Sequence, residues 1–147
     1  MLKQIPDCIT PELLKVLDEM GHGDTIVIGD ANFPAASISG ANGHINIRCD
    51  GHKGPEILDA VLKLMPLDSF VEKPVTIMDK MPQHKDLKTP VWDEFRSIVG
   101  KYDERGDEAV GFTDRFAFYE AAKKAYAVVS TSENALYACI ILQKGCL

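Results

Sequence analysis

Residues 20–34 read Met20-Gly21-His22-Gly23-Asp24-Thr25-Ile26-Val27-Ile28-Gly29-Asp30-Ala31-Asn32-Phe33-Pro34. The run Thr25–Gly29 is short, apolar and β-branched, the pattern of a strand covered on both faces. A strand covered on both faces implies helices above and below it, hence an α/β architecture. Just before it, Leu13, Leu14, Val16, Leu17 and Met20 recur at helical spacing. Thr10 and Pro11 form an N-cap followed by a first-turn proline, and Gly21 is read as the residue that ends this helix. His22 therefore stands at a helix-to-strand corner and Asp30 at the far end of the strand. Five extended residues span roughly 17 Å. One chain cannot bring both side chains to one small molecule unless it folds back or a second subunit helps.

Working outward, Ala35–Gly43 is small and polar and reads as a loop. Ile45, Ile47 and Cys49 alternate with Asn46, Arg48 and Asp50, predicting a second strand that ends at Asp50-Gly51. A helix is expected over Pro55–Met65 and a strand over Val75–Met81. Thr89-Pro90 repeats the cap-then-proline signal and opens a helix to Tyr102. Ala109–Phe112 reads as a short strand, and Thr113 or Asp114 caps a helix from Arg115 to about Lys124. Tyr126–Ser130 and Tyr137–Gln143 read as the last two strands, joined by a turn at Thr131–Asn134. Six strands interleaved with helices predict an α/β fold, and the closing strand–turn–strand element predicts a mixed sheet.

The chain has 147 residues, 46% of them hydrophobic and 26% charged, which suits one globular domain, residues 1–147, with a sizeable core. A net charge of −6 argues against nucleic acid and anionic membrane surfaces as partners. No apolar run approaches the ~20 residues of a bilayer span, and no signal-peptide core follows Met1. Cys8, Cys49, Cys139 and Cys146 are scattered without a CxxC pair, so neither a disulfide framework nor a metal site is expected. Cys49 and His52 have C-x-x-H spacing, but no second ligand pair stands near them. Reduced thiols suit the cytoplasm. There is no G-x-x-x-x-G-K-[ST] loop, no G-x-G-x-x-G after a strand, and no G-x-S-x-G elbow.

Several side chains could carry chemistry. His22 suits general acid–base work, because imidazole titrates nearest neutral pH; it could also simply sit favourably at a helix C-terminus. Asp30 ends a strand where α/β folds place ligands, or it makes an Asx turn into Asn32-Phe33-Pro34. Arg115 and Tyr119 are i, i+4 and share a helix face, a guanidinium and phenol that suit a polyhydroxylated ligand. A cation in a first turn opposes the helix dipole, which points to a task for Arg115 beyond the helix, although Asp114 or Glu120 could pair with it. Tyr137 could stack on a sugar face or complete the core. His44, His52 and His84 lie in polar contexts and are read as solvent or loop residues.

Taken together, Thr10–Leu14, Met20–Asp24, Asp30–Pro34, Ile47–Gly51, Leu67–Phe70, Thr89–Trp92, Arg115–Glu120 and Leu136–Gly145 give a resemblance over nearly the whole chain. In order and spacing they resemble the family of L-fucose mutarotases and D-ribose pyranases, and Arg115-Phe-Ala-Phe-Tyr-Glu120 resembles the fucose branch more than the ribose branch. The resemblance implies a three-layer α/β/α domain with a mixed six-stranded sheet. It implies an isomerase that interconverts anomers of a free monosaccharide, L-fucose or alternatively D-ribose, with no cofactor and no metal. His22 matches the family's proton donor; Asp30, Arg115, Tyr137, Ala138 and Cys139 match its sugar-contacting positions. Bacterial members form ring-like homodecamers with sites near subunit contacts, an arrangement that would supply the missing reach between His22 and Asp30. One departure stands out. The family's Tyr-x-Asn reads Tyr137-Ala138-Cys139 here, and a thiol is a poorer hydrogen-bond partner than an amide. A contact is lost, the backbone replaces it, or the sugar preference has moved. A sugar-binding protein without turnover, and an oligomeric structural protein, are the readings from other classes.

Overall fold

Alternation of side chains on the strands explains the layers. The computed structural model describes residues 2–40 and 43–147. Along β1 (Thr25–Gly29), Ile26 and Ile28 point to one face and Val27 to the other, all fully buried. The same period of two splits Ala127 and Val129 from Val128 on β5 (Ala127–Thr131), and Ile140 and Leu142 from Ile141 on β6 (Ile140–Gln143). The first face packs against α1 (Pro11–Glu19), α3 (Gly54–Leu64) and α4 (Pro90–Tyr102). The second packs against α2 (Ala35–Gly40) and α5 (Arg115–Ala122), through Ala35, Ile38, Phe118 and Ala122. The result is the expected three-layer α/β/α domain.

With β2 (Ile45–Cys49), β3 (Val75–Met78) and β4 (Val110–Thr113), the six strands lie in the order β2-β5-β1-β6-β3-β4. Every adjacent pair is parallel except the two that β6 makes, with β1 and β3. The sheet is mixed, as expected, but not because β5 and β6 form a hairpin. β1 lies between them, so the strand–turn–strand reading is corrected: the chain after β5 passes over the sheet end and returns as a central antiparallel strand.

Other boundaries shift for local reasons. The first helix ends at Glu19 with Met20 as its cap; Gly21 instead donates its N–H to Asp24 at 2.7 Å, and Gly23 is the residue in the left-handed region, at φ 86°. Thr10 caps α1 as expected, accepting from Leu13 N, worth about 1 kcal/mol, whereas Thr89 caps α4 with no side-chain bond. Asp114 caps α5, accepting from Phe116 N and Ala117 N. The predicted loop Ala35–Gly43 contains α2; Ala41 and Asn42 lie outside the described residues. The third strand stops at Met78, and a 3-10 turn, Pro82–His84, follows. The last strand begins only at Ile140, which leaves Tyr137, Ala138 and Cys139 in the turn that leads into it.

Candidate functional site

Five strands point their C-terminal ends to one edge of the sheet, and β6 starts there. That edge is where α/β folds leave a crevice. A cleft of about 160 Å³ lies on it, lined by residues from five segments, including Asp30, Phe33, Met78, His84, Arg115 and Tyr137. It is smaller than the roughly 300–1,000 Å³ of drug-sized sites and suits a monosaccharide. A larger hollow of about 310 Å³, between the N-terminal segment and α1, is lined by Leu2, Ile5, Pro6 and Leu14 with Asp7 as its one charge, and lacks converging polar groups.

Asp30 fills both roles its position allows. Its Oδ1 accepts from Asn32 N at 2.9 Å, the Asx turn, while the Cys139 thiol donates to Oδ2 at 3.3 Å. The side chain is buried, and that burial raises its pKa above the ordinary carboxylate value, against the lowering effect of the hydrogen bonds from Asn32, Cys139 and Ala138. Burial, then the neighbouring Asp30 charge, pushes the Cys139 thiol well up, so it stays protonated and serves as a donor. Where an amide was expected from the family pattern, this chain thus spends a thiol on Asp30, and Ala138 N–H supports the same carboxylate.

Across the cleft, Arg115 Nε donates to Tyr119 Oη at 2.9 Å, so its partner is the i+4 phenol rather than Asp114 or Glu120. Phe33 packs edge-on against both Phe118 and Tyr119, at centroid distances of 5.8 and 5.6 Å, and fixes α5 against the Asp30 loop.

Tyr137 is not a core residue of a strand. Its φ of 61° puts an L-residue in the left-handed region, a cost of about 1–2 kcal/mol. Trp92 Nε1 donates to its carbonyl at 2.9 Å, and its hydroxyl lies 2.5 Å from His84 Nδ1. Backbone strain held by surrounding contacts beside a cleft is a mark of function. His84 is exposed on the Pro82–His84 turn, as a solvent or loop residue should be, but it also lines the cleft, which the polar context of the sequence does not signal. Its partner is 53 positions away, so no local pattern could signal it.

His22 lies elsewhere. It precedes β1, at the opposite end of the strand from Asp30. Its Nε2 is 3.1 Å from Asp68 Oδ1, and its ring meets Phe70 edge-on at 4.8 Å. The ring is 39% exposed, while Asp68 is buried and also accepts from Phe70 N and Gln143 Nε2. Those bonds, Phe70 N–H first and then His22, hold the Asp68 carboxyl below its usual range. Asp30, Arg115, Tyr137, Ala138 and Cys139 therefore converge within one chain, and His22 does not join them. The C-x-x-H pair also separates: Cys49 is buried in the core, and His52 Nδ1 turns to Glu56 at 3.0 Å.

This constellation can be set against known proteins. The RbsD / FucU transport protein family matches residues 3–147. The chain belongs to this family. It is 50% identical to the fucose mutarotase of Homo sapiens, over 99% of this chain and 94% of that protein. Among solved structures it resembles FucU from Bifidobacterium longum, with 53% identity, 97% and 98% of the two chains covered, and a TM-score of 0.93. It also resembles the fucose mutarotase of Streptococcus pneumoniae solved in complex with L-fucose, with 44% identity, 99% of each chain and a TM-score of 0.90. Among the described residues no helix is long and apolar enough to cross a membrane.

Proposed function

We propose that this chain is an L-fucose mutarotase, an isomerase that interconverts the α and β anomers of the free sugar by ring opening and reclosure, and that it works in the cytoplasm in fucose catabolism. The observation that carries the reading is the cleft in which Asp30, Arg115 and Tyr137 converge, in a chain half identical to a fucose mutarotase over nearly its full length. Mutarotation needs a proton removed from the anomeric hydroxyl and one given to the ring oxygen. Positioned acid–base groups contribute about 10²–10⁴-fold to such a step. Asp30 and Arg115 hold sugar hydroxyls, the Tyr137–Cys139 turn contacts the ring, and His22 protonates the ring oxygen.

His22 reaches the sugar from a neighbouring copy. The support is the geometry: His22 and the cleft sit at opposite ends of β1, and each carries exposed apolar surface for a partner to cover. Phe70 stands beside His22 at 77% exposure, and Leu136 rims the cleft at 49%. A contact that joins one end of a protomer to the other end of the next is heterologous, and such contacts form a ring when the rotation between copies closes, as a homodecamer requires.

Saturation-transfer NMR tests the reading. The protein accelerates exchange between L-fucose anomers, and His22→Ala abolishes the acceleration. Binding of L-fucose without acceleration would instead make it a sugar-binding protein. The alternative, D-ribose pyranose–furanose exchange by the same ring opening, is separated by running ribose in parallel.

A further inference from the structure

Ring opening needs a base as well as an acid, and the base must face the anomeric hydroxyl from within the cleft. The Tyr137 hydroxyl is held on two sides. Met81 N–H donates to it at 3.3 Å, and His84 Nδ1 lies 2.5 Å away, with the two rings edge-on at 5.7 Å. A phenol oxygen has one proton and two acceptor sites. Met81 N–H occupies one acceptor site, and in the tautomer that carries its hydrogen on Nε2, His84 Nδ1 accepts the phenol proton along the short contact. The second acceptor site is left for a ligand. We propose that Tyr137 and His84 form a proton relay in the cleft, in which Tyr137 takes the proton of the anomeric hydroxyl and His84 takes the phenol's proton.

The inference rests on the anomer-exchange reading and supplies its missing half. As the anomeric O–H proton passes to Tyr137 Oη, the phenol proton passes to His84 Nδ1. The O–H electron pair becomes the second bond of the C1 carbonyl. The bond from C1 to the ring oxygen breaks, and that oxygen takes a proton from the His22 imidazolium of a neighbouring copy. After rotation about C1–C2 each proton retraces its path: His84 returns one through Tyr137 to the carbonyl oxygen, and His22 takes back the other. One imidazole gains the proton the other loses, so charge is unchanged at every stage.

The chemistry explains why a histidine stands behind the tyrosine. An unassisted phenol titrates near 10 and is seldom a base at neutral pH, whereas a free imidazole titrates near 6.5. The charged groups facing the relay across the cleft are Arg115 and Asp30, with the Tyr119 phenol and Cys139 thiol beside them; Lys80, Lys85 and Asp86 flank the His84 turn. Arg115 is raised in pKa by Tyr119 first, and the nearby Tyr137 adds to the effect. The left-handed backbone of Tyr137, tied to Trp92, aims the phenol toward His84 and away from the strand that follows.

The test is L-fucose anomer exchange by saturation-transfer NMR on the full chain, from about pH 5 to pH 8, with calorimetric L-fucose affinity and circular dichroism on each variant. His84→Gln cannot take up the proton, and exchange is expected to fall about 10- to 100-fold, with an altered pH profile and an affinity close to the parent's. Tyr137→Phe is expected to fall at least as far, and adding His84→Gln to it to cost nothing more. His52→Gln, outside the cleft, leaves the rate unchanged. A folded His84→Gln protein with the parent's rate and pH profile, or effects of the two substitutions that multiply, overturns the relay while leaving the mutarotase reading intact. A parent protein that does not accelerate exchange overturns both.

Discussion

His22 Nε2 and Asp68 Oδ1 lie 3.1 Å apart, one ring partly open to solvent and one carboxylate buried, at the end of β1 that the cleft does not occupy. Asp68 is itself fixed by Phe70 N–H and Gln143 Nε2, so it orients the imidazole rather than following it. In the proposed reaction it is a positioning residue for His22. Asp68→Asn keeps the hydrogen bond from Phe70 N but removes the carboxylate charge that lies beside the imidazole. Anomer exchange by this variant is expected to fall about 10-fold, a lesser loss than the abolition expected for His22→Ala, with L-fucose affinity unchanged. Equal rates for Asp68→Asn and the parent would remove Asp68 from the reaction.

The proposed sharing of one site between two copies predicts rescue. His22→Ala and Asp30→Asn chains, each inactive alone, are expected to regain exchange when co-expressed as mixed assemblies. If each site takes His22 from one copy and Asp30 from its neighbour, random mixing repairs roughly one quarter of sites. Independently folded protein of each type, mixed without subunit exchange, stays inactive. Mixed assemblies that stay inactive would mean that each chain completes its own site.

Asp30 also makes a stability prediction. Burial raises its pKa in the folded state. The folded chain then binds a proton that the unfolded chain has lost, in the window above the ordinary carboxylate value. Stability therefore falls as pH rises through that window and is regained on acidification. Asp30→Asn removes the dependence. The melting temperature of the parent minus that of Asp30→Asn is expected to decrease between about pH 4 and pH 7, measured by calorimetry. A flat difference would mean that Asp30 titrates normally. Asp68, held low, has the opposite sign: its contribution is lost as pH falls through its folded value.

Local physics explains which parts of the fold could be read in advance. The cap at Thr10-Pro11, the stripe Leu13–Leu17 and the β-branched run Ile26–Ile28 report contacts within a few residues, and they marked elements correctly. α2 escaped because Ala35-Ala-Ser-Ile-Ser-Gly40 has no long apolar stripe; Ser39 Oγ bonds back to Ala35 O instead. The central place of β6 depends on pairing Ile28 with Ile140, which no local pattern encodes. The site divides the same way. Asp30 and Arg115 carried signals from strand end and helix start, whereas Asp68 and His84 act through partners 46 and 53 positions away.

Trp92 Nε1 to Tyr137 O is the bond that holds the left-handed turn. Trp92→Phe keeps most of the packing against Phe112 and loses the donor. The turn then relaxes toward extended backbone and the phenol leaves the cleft. Exchange is expected to fall by about 10-fold or more while the unfolding free energy drops only by about 1 kcal/mol, the worth of one hydrogen bond. Kinetics and denaturant unfolding on one preparation separate the two effects. A rate loss no larger than that of a distant control would mean that the turn holds its shape unaided.

Gly145 links the end of β6 to the backbone of Asp68, the partner of His22. A Cβ there would come within 2.5 Å of Leu67 O and 2.7 Å of Asp68 Cα, both backbone atoms that cannot rotate away. Gly145 N–H donates to Pro66 O at 2.9 Å and Asp68 N–H to Gln143 O at 3.0 Å, so the two segments are laced together. Gly145→Ala must push the Leu67-Asp68 backbone outward, at a cost of about 1–3 kcal/mol for overpacking. Asp68 moves with that backbone, and with it the carboxylate that orients His22. The variant is expected to lose stability in urea unfolding and, in the fraction still folded, to lose exchange rate without losing L-fucose affinity, because Asp30, Arg115 and Tyr137 lie at the other end of the sheet. A variant as stable as the parent would contradict the close approach, and a loss of affinity equal to the loss of rate would mean that the two ends of β1 are not separate halves of the site.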